Sequence, residues 1–404
     1  MHKLIVLCAC LVCFFFTTRA RQVQHVPGKS IEAAMADIEL MAGNKIPDNV
    51  KLVGLGDAAA LAYEPVRFNT TLAAFLIRKK GFRNFLVMDD NWMVRPLHHY
   101  LSGTRSFDST VIDSLVQQTI GNFQYKTTGF RTFLYWLKKY NLLHQDKIVS
   151  LRGIGAARAI PISYFMITYI YPLDKENGTS LSTKWGVPNY PDSLAVKDVK
   201  EWYKGIVKNR AFVNKNKALL AACAEDLAYY DATSRRAKQT NVTQYMDLTV
   251  NIIGNQILQQ VSQRSILYTS NDFIARSNTR LDYIPGRPVV SYTGMYLHEQ
   301  LKEGYFACLT GFSDTARLLL VNRQAAKIVD SVFIAPQQEK LLYQKKDRFF
   351  IPEDTLVLKQ YLPAELPTFT NDAITIVPDT AIRPLDALFL FKNLTPGIKP
   401  VTPN

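Results

Sequence analysis

Cysteine and histidine are both scarce in this chain, which limits the metal and disulfide chemistry that it can support. The 404 residues include five cysteines and six histidines. Cys8, Cys10 and Cys13 lie close together near the N-terminus, which leaves Cys223 and Cys308 for the rest of the protein. A structural zinc site needs four close nitrogen or sulfur ligands, so two cysteines cannot build one. An exported chain permits one disulfide between them, but both stand in apolar surroundings that suit a buried thiol at least as well, so both alternatives stay open.

Motifs that define several common enzyme classes are also absent. The chain contains no Gly-x-Ser-x-Gly, no His-Glu-x-x-His and no phosphate-binding loop. Serine hydrolases of the nucleophile-elbow type, zinc proteases and P-loop nucleotide hydrolases are therefore excluded. We accordingly expect neither a metal nor a cofactor. After residue 20, no stretch approaches the roughly 20 consecutive apolar residues that a transmembrane helix needs.

Acidic residues are outnumbered by basic ones. The chain has 48 Lys and Arg against 34 Asp and Glu, a formal net charge of +14. Such a balance favours anionic partners through long-range attraction, and it is also typical of a solvated basic surface. The cations are scattered and no nucleic-acid motif or interleaved aromatic residue accompanies them, so we expect no nucleic-acid partner. The partner that we expect is therefore a small-molecule ligand. The sequence leaves the oligomeric state open.

The first 20 residues have the pattern of a secretory signal peptide. Lys3 supplies the positive charge, residues 4–16 are apolar, and Thr18-Arg19-Ala20 is a small-x-small cleavage site. We expect cleavage near Ala20 and a secreted or periplasmic protein. A lipoprotein box at Leu7–Cys10 would leave almost no apolar segment before it, so we expect no lipid anchor.

The remaining residues, 21–404, are predicted to form a single α/β domain. Helical periodicity over residues 65–80 and 130–137 alternates with short apolar runs at residues 84–88 and 147–151. This alternation is typical of a mostly parallel central sheet with helices on both faces. Long amphipathic segments make residues from about 170 to 263 a helical excursion. Strand patterns then return at residues 265–268, 304–310, 331–334, 373–377 and 387–391.

Carboxylates follow the ends of several predicted strands. The first strand breaks at two glycines onto Asp57 and then onto Ala58–Ala60, whose methyl groups can do no acid–base chemistry. Asp89 and Asp90 follow the second strand, and Ser270–Asp272 follow a later one. Carboxylates from separate strands could form a general acid–base pair. Asp and Ser at strand ends also commonly cap helices or form turns, so both interpretations stay open.

Taken together, these positions resemble the erythromycin esterase family, α/β hydrolases that open macrolide lactones. The first turn, Gly56–Leu61 with Glu64, matches the family's Gly-Glu-x-x-His-Gly and following glutamate. Phe85–Asp89 matches a strand that ends in a glutamate, and Ile266–Ile274 lies where the family has His-Asn-x-His-Ile. The likeness covers nearly all of the mature chain and extends to Phe75–Phe82, Phe133–Asn141, Thr293–Gly311 and Leu385–Gly397.

The departures from the family pattern fall on its chemistry. In the family, a histidine on the first turn, aided by a later histidine pair, deprotonates the attacking water. Those three positions are Ala60, Ser270 and Phe273 here. The resemblance implies three candidate catalytic carboxylates, of which two are shortened from glutamate and one is unchanged: Asp57, Asp89 and Glu64. It also implies candidate ligand-binding residues on the two turns: Ala60, Ser270, Asn271, Asp272 and Phe273.

Three hypotheses follow from this pattern. The first is an exported protein that keeps the esterase fold, has a degenerate active site, lacks macrolide esterase activity and binds a ligand. The second is a divergent hydrolase of an ester or lactone that uses the remaining carboxylates, with or without a metal. The third is an interaction protein held to the cell envelope by its basic surface. His98 and His99, two helical turns beyond Asp89, are the nearest substitute bases in the sequence, although surface or capping roles are more typical there.

Overall fold

The computed structural model describes residues 30–43, 45–57, 62–187, 189–281, 285–286, 288–312, 317–322, 327–333, 348–350, 366–367, 374–378, 382 and 385–391. The predicted signal peptide and Ala58–Ala60 lie outside the described residues. The chain forms two compact units. One combines the chain before residue 155 with the chain after residue 253, and the other is Gly155–Ile253.

Within the described residues, the helices follow one another in a long series. They are α1 (Ile31–Ala42), α2 (Tyr63–Lys80), α3 (Asn91–Ser102), α4 (Ser109–Thr119), α5 (Thr128–Leu143), α6 (Ile162–Phe165), α7 (Tyr171–Leu173), α8 (Lys175–Trp185), α9 (Asp192–Ile206), α10 (Arg210–Lys215), α11 (Lys217–Ala237), α12 (Val242–Leu258), α13 (Asn271–Ile274) and α14 (Thr293–Leu301). A π-helical turn, Met166–Ile170, joins α6 to α7. Short 3₁₀ turns occupy Phe123–Lys126, Gln145–Lys147 and Lys302–Gly304.

The described strands form one large sheet and two smaller ones. They are β1 (Leu52–Asp57), β2 (Asn84–Val87), β3 (Ser150–Gly153), β4 (Ser265–Ser270), β5 (Ser277–Leu281), β6 (Val289–Ser291), β7 (Tyr305–Phe312), β8 (Arg317–Asn322), β9 (Lys327–Phe333), β10 (Arg348–Phe350), β11 (Leu366–Pro367), β12 (Ile374–Pro378) and β13 (Ala387–Phe391). The large sheet has the order β10-β13-β7-β1-β4-β2-β3, and the others are β11-β12-β5-β6 and β8-β9.

The large sheet confirms the predicted α/β class. Six of its strands are parallel to one another. The seventh, β10, lies at the edge of the sheet and is antiparallel to its neighbour β13. Strand β1 lies near the middle, and all six of its residues are buried. Its side chains divide between two faces because successive residues of a strand point in opposite directions. Val53 and Leu55 join a core that includes residues from α1 to α5.

The two glycines of β1 allow close packing on the opposite face of the sheet. A methyl group at Gly54 would come within 2.8 Å of the Ile274 side chain and the Tyr305 hydroxyl. One at Gly56 would come within 2.4 Å of the Asn271 side chain. Helix α13 can therefore pack closely on β1 only because glycine occupies both positions. The Gly-x-Gly pattern is explained by this close packing.

Local sequence sets the ends of the helices around the large sheet. Ser30 caps the start of α1 by accepting a hydrogen bond from the Ala33 N–H at 3.2 Å. Gly81 ends α2 with a φ of 75°, a left-handed conformation that glycine adopts without a steric penalty. The C-terminal end of α3 is held by Lys138, whose buried ammonium donates to the carbonyls of Tyr100 and Gly103 at 2.8 and 2.7 Å.

The unit Gly155–Ile253 contains only helices among its described residues. The helical excursion predicted for residues of about 170 to 263 overlaps this unit. Its interior includes a hydrogen bond from the Tyr169 hydroxyl to Asp226, both of which are buried. Cys223 and Cys308 are buried and are not joined in a disulfide, so each is a core thiol. No helix in the part of the chain that the structure describes is long and apolar enough to cross a bilayer.

Candidate functional site

The predicted site residues lie at the carboxyl edge of three neighbouring strands, β1, β4 and β2. Asp57 and Ser270, the last residues of β1 and β4, are directly paired in the register. Val87 pairs with Tyr268, so Asp89, two residues further on, lies at the level of Ser270. Because β4 separates the two outer strands, the backbones at Asp57 and Asp89 are about two strand spacings, or ~10 Å, apart. The sheet thus brings the two carboxylates to one edge.

Asp57 is fully buried and contacts a tyrosine of the neighbouring strand. The hydroxyl of Tyr268 donates to Oδ2 of Asp57 at 2.7 Å. Burial raises the pKa of Tyr268 well above its usual value, and the negative charge of Asp57 raises it further. The phenol therefore stays a proton donor at all physiological pH values. Its ring lies in an aromatic cluster of the core, with centroids 6.3 Å from Phe85 and 6.2 Å from Phe130.

A second tyrosine, Tyr125, extends this chain of hydrogen bonds to β2. Its hydroxyl donates to the Tyr268 carbonyl at 2.7 Å and accepts the Met88 N–H at 2.8 Å. The side chain is completely buried, and burial raises its pKa far above the usual value. Tyr125 comes from the short 3₁₀ turn after α4, and no motif in the sequence marked it. It joins the ends of β2 and β4 through one hydroxyl group.

Both carboxylate oxygens of Asp89 accept hydrogen bonds from backbone N–H groups. Oδ1 accepts the N–H of Asp90 at 2.9 Å, and Oδ2 accepts the N–H groups of Gly121 and Asn122 at 2.6 and 2.9 Å. The last two belong to the loop between α4 and the turn that carries Tyr125. Asp89 thus holds this loop against the end of β2.

Asn271 and the end of β7 complete the edge on the other side of β1. The Asn271 amide donates to the Thr310 carbonyl at 2.7 Å and accepts the Thr310 N–H at 3.3 Å. The carbonyl of Gly56 accepts hydrogen bonds from Thr310 Oγ1 at 2.9 Å and from Asn69 Nδ2 at 3.1 Å. All three polar side chains are buried. Asn271, predicted as a ligand-binding residue, is thereby engaged in joining α13 to β7.

Ser270 ends β4, and Asp272 and Phe273 lie in the short helix α13 that follows it directly. Ser270 and Phe273 are partly exposed, whereas Asp272 is buried. Burial raises the pKa of Asp272, although hydrogen bonds from the Ser270 hydroxyl and from the N–H groups of Asp272 and Phe273 lower it. One carboxylate oxygen, Oδ1, has no hydrogen-bond partner among the residues that the structure describes. The Phe273 ring packs on Tyr292 with centroids 4.6 Å apart.

The other two predicted site residues, Ala60 and Glu64, follow β1 in the sequence. Glu64 occupies the first turn of α2 and is partly buried. Ala60 falls within residues 58–61, outside the described residues. The structure therefore places Asp57, Asp89, Ser270, Asn271 and Asp272 at one edge of the sheet. The roles predicted for these residues stay predictions.

Comparison with solved structures identifies this arrangement of strands and helices. A protein from Bacillus cereus has 15% sequence identity and a TM-score of 0.66, with 93% of this chain and 96% of that chain covered. A succinoglycan biosynthesis protein has 14% identity and a TM-score of 0.63, with 94% and 95% covered. A mutant of the erythromycin esterase EreC in its open conformation has 13% identity and a TM-score of 0.58, with 90% and 95% covered. The chain has the erythromycin esterase fold. No family model and no curated protein matches the sequence.

The four histidines that the structure describes lie away from the strand ends where the resemblance expects histidine. His98 and His99 are on α3, His144 follows α5 and His298 is on α14. The His144 ring stacks on a tyrosine one helical turn earlier, with centroids 4.2 Å apart. Among the described residues, no group of three or more His, Cys, Asp or Glu side chains is arranged to hold a metal ion.

The imidazole of His98 is expected to make the protein less stable in acid. Burial lowers its pKa to about 4, and the charges of His99, Arg152 and Arg95 contribute to the shift. In an unfolded chain the value is about 6.5. The folded state binds the proton less tightly, so this contribution to stability is present above about pH 6.5 and is lost as the pH falls towards about 4. The expected loss is about 3 kcal/mol.

Urea unfolding of the wild type and of His98→Leu at a series of pH values tests this expectation. The variant should show a flatter decline in the free energy of unfolding between about pH 6.5 and about pH 4. Subtracting the two curves removes the contribution of the other acidic groups. Parallel curves would contradict the assignment of this acid sensitivity to His98.

Proposed function

We propose that this protein is a non-hydrolytic relative of the esterases, in which the carboxyl edge of the sheet binds a small ligand and does not cleave it. The proposal rests first on the absence of a base at the strand ends. Water activation near neutral pH needs a group whose pKa lies close to the working pH, and imidazole suits this best. Ala60, Ser270 and Phe273 occupy the positions where the resemblance expects histidine. None of these three side chains can take a proton from water.

The observation that carries the proposal is that Asp57 and Asp89, two of the three candidate carboxylates, are engaged with the protein itself. Asp89 accepts three backbone N–H groups, and Asp57 is fully buried beside the Tyr268 hydroxyl. Carboxylates in such bonds hold the ends of strands and loops in place. A general base has to reach a water molecule or a substrate proton at hydrogen-bonding distance. Occupied oxygens and complete burial both work against that.

Support for a ligand comes from the turn after β4. Asp272 has a carboxylate oxygen without a partner among the described residues, and its neighbours Ser270 and Phe273 are partly exposed. A buried acceptor without a hydrogen bond costs about 1–3 kcal/mol, so a bound N–H or O–H group would be stabilised there. The ligand class that fits is a small molecule carrying hydroxyl or amino groups, with an apolar part that packs on Phe273.

Equilibrium dialysis with erythromycin as the probe tests this proposal. We expect the wild type to retain the probe, and we expect Asp272→Asn to bind it about tenfold more weakly, because the amide presents a donor where the carboxylate offers an acceptor. Asp146→Asn, an exposed substitution with the same loss of charge, is the matched control and should bind as the wild type does. No retention by the wild type, or equal loss in both variants, would contradict the ligand site.

One observation favours a second candidate function. The raised pKa of the Asp272 carboxyl brings it closer to neutral pH, where a carboxyl group can act as a general acid or base. A divergent hydrolase of esters or lactones could then use Asp272 together with Ser270. This alternative predicts turnover that disappears in Asp272→Asn and in Ser270→Ala, whereas the ligand-binding proposal predicts no turnover at all.

A further inference from the structure

We propose that a cluster of cations in the unit Gly155–Ile253 is a docking site for anionic phospholipid headgroups. The cluster, here called the basic corner, consists of Lys204, Lys208, Arg210, Lys215 and Lys217. It runs from the last turn of α9 through α10 to the first residue of α11. The site is independent of the carboxyl edge and of the function proposed for it.

The basic corner is unusual in having no compensating negative charge. All five side chains are exposed, and the chain contains no Asp or Glu from residue 202 to residue 224. None of the five forms a salt bridge with any residue that the structure describes. Other lysines of the same unit do reach carboxylates: Lys184 reaches Asp198, Lys197 reaches Glu201 and Lys200 reaches Asp231. Five unpaired cations within so short a segment attract anions without competition from a carboxylate of their own segment.

Short turns connect the helix ends that carry the basic corner. After α9, the N–H of Lys208 donates to the Gly205 carbonyl, and the N–H of Asn209 donates to the Ile206 carbonyl. Asn209 then caps α10 by accepting the Phe212 N–H at 3.1 Å. A single residue, Asn216, separates α10 from α11. The cations are therefore presented together by successive helix ends and are not spread along one extended helix.

Apolar side chains alternate with these cations, which favours a lipid surface. Ile206, Val207, Phe212 and Val213 are partly exposed and lie between the basic residues in the sequence. Membrane-surface segments combine Lys and Arg, which contact anionic headgroups, with apolar groups that enter the boundary with the acyl chains. Partly exposed apolar groups gain nothing from contact with a phosphodiester backbone. The combination therefore favours phospholipid over nucleic acid.

The aromatic residues of the same segment agree with this choice. Single-stranded nucleic acids bind on exposed aromatic rings that stack with the bases. Trp202 is buried, and Tyr203 and Phe212 are only partly exposed. The basic corner thus offers charge and a shallow apolar surface, with no exposed stacking platform.

Vesicle co-sedimentation of the full chain tests the proposal. We expect binding to vesicles of phosphatidylcholine mixed with phosphatidylglycerol, no binding to phosphatidylcholine alone, and release by high salt. Each cation near an anionic membrane strengthens binding about fivefold, so Lys204→Gln/Lys208→Gln should bind about 25-fold more weakly than the wild type. Both substitutions lie at exposed positions, so the variant should keep the fold, which circular dichroism can verify.

The matched control is Lys175→Gln/Lys238→Gln, which removes the same charge from exposed positions outside the basic corner. It should bind within about twofold of the wild type. Equal weakening of both variants would overturn the proposal, because it would show that net charge alone drives the interaction. Tighter binding to a single-stranded oligonucleotide than to the anionic vesicles would also overturn it. Each of these results leaves the function proposed for the carboxyl edge unaffected.

Discussion

Replacing Asp89 with alanine is expected to lower the free energy of unfolding by about 3 kcal/mol, because three backbone N–H groups would lose their acceptor. Those groups belong to Asp90, Gly121 and Asn122, and two of them anchor a loop more than 30 residues further along the chain. Asp89→Asn should cost less, since the amide keeps one oxygen. Chemical denaturation followed by circular dichroism measures both changes.

The matched control for this prediction is Asp146→Ala. Its carboxylate is 3.7 Å from the Lys147 ammonium, and both side chains are well exposed. A surface ion pair of this kind contributes at most about 0.5 kcal/mol. If Asp89→Ala were as harmless as the control, the carboxylate would not hold the loop, and a role in chemistry or ligand binding would become the better explanation for Asp89.

Replacing Gly153 with alanine is expected to destabilise the protein by about 3 kcal/mol, since the end of β3 has no room for a side chain. A methyl group there would lie 2.4 Å from the Asp89 carbonyl oxygen and 2.7 Å from the Asn91 nitrogen. Both atoms belong to the backbone of the turn after β2, so neither can rotate away. Thermal or urea unfolding of the variant measures the effect.

Gly304 provides the control for this substitution. A methyl group at that position would meet only side-chain atoms at 3.8 Å or more, an ordinary contact distance. We expect Gly304→Ala to change the free energy of unfolding by less than about 1 kcal/mol. A Gly153→Ala variant as stable as Gly304→Ala would show that β3 and the Asp89 turn are not closely packed.

Much of the fold could be predicted because its signals are local. The alternation of helical periodicity with short apolar runs indicated a parallel sheet, and the strand-end positions of Asp57, Asp89 and Ser270 indicated a shared edge. Strands β5 and β6 were not predicted. β5 pairs with β12, which lies almost 100 residues further along the chain, and β6 pairs with β5, so the partner that anchors this pair of strands leaves no signal near them.

The hydrogen bonds at the edge of the sheet could not be predicted from the sequence either. Tyr125 lies in a polar loop segment and contacts Tyr268, which is 143 positions away. From the sequence, Asp89 was compatible with a catalytic role and with a structural one. The structure shows that its two most distant partners are backbone groups of a loop. Backbone N–H groups occur at almost every residue, so no pattern of side chains can indicate which of them a carboxylate will meet.

The edge of the sheet is held together without a histidine among these contacts. The tyrosine pair, the Asp89 loop contacts and the Asn271 bridge join the ends of β1, β2, β4 and β7. Each contact stabilises the edge whether or not a water molecule is activated there. The function proposed above is therefore compatible with the fold, because a scaffold and the reaction on it are separable in general.

The most direct test is a time course of lactone and aryl-ester hydrolysis by the purified protein, followed by mass spectrometry and run beside an active erythromycin esterase. The proposed function predicts no product above the buffer rate with erythromycin or with nitrophenyl esters, and no change in that rate for Asp57→Asn or Asp89→Asn. Turnover by the wild type that disappears in a folded Asp57→Asn variant would contradict it.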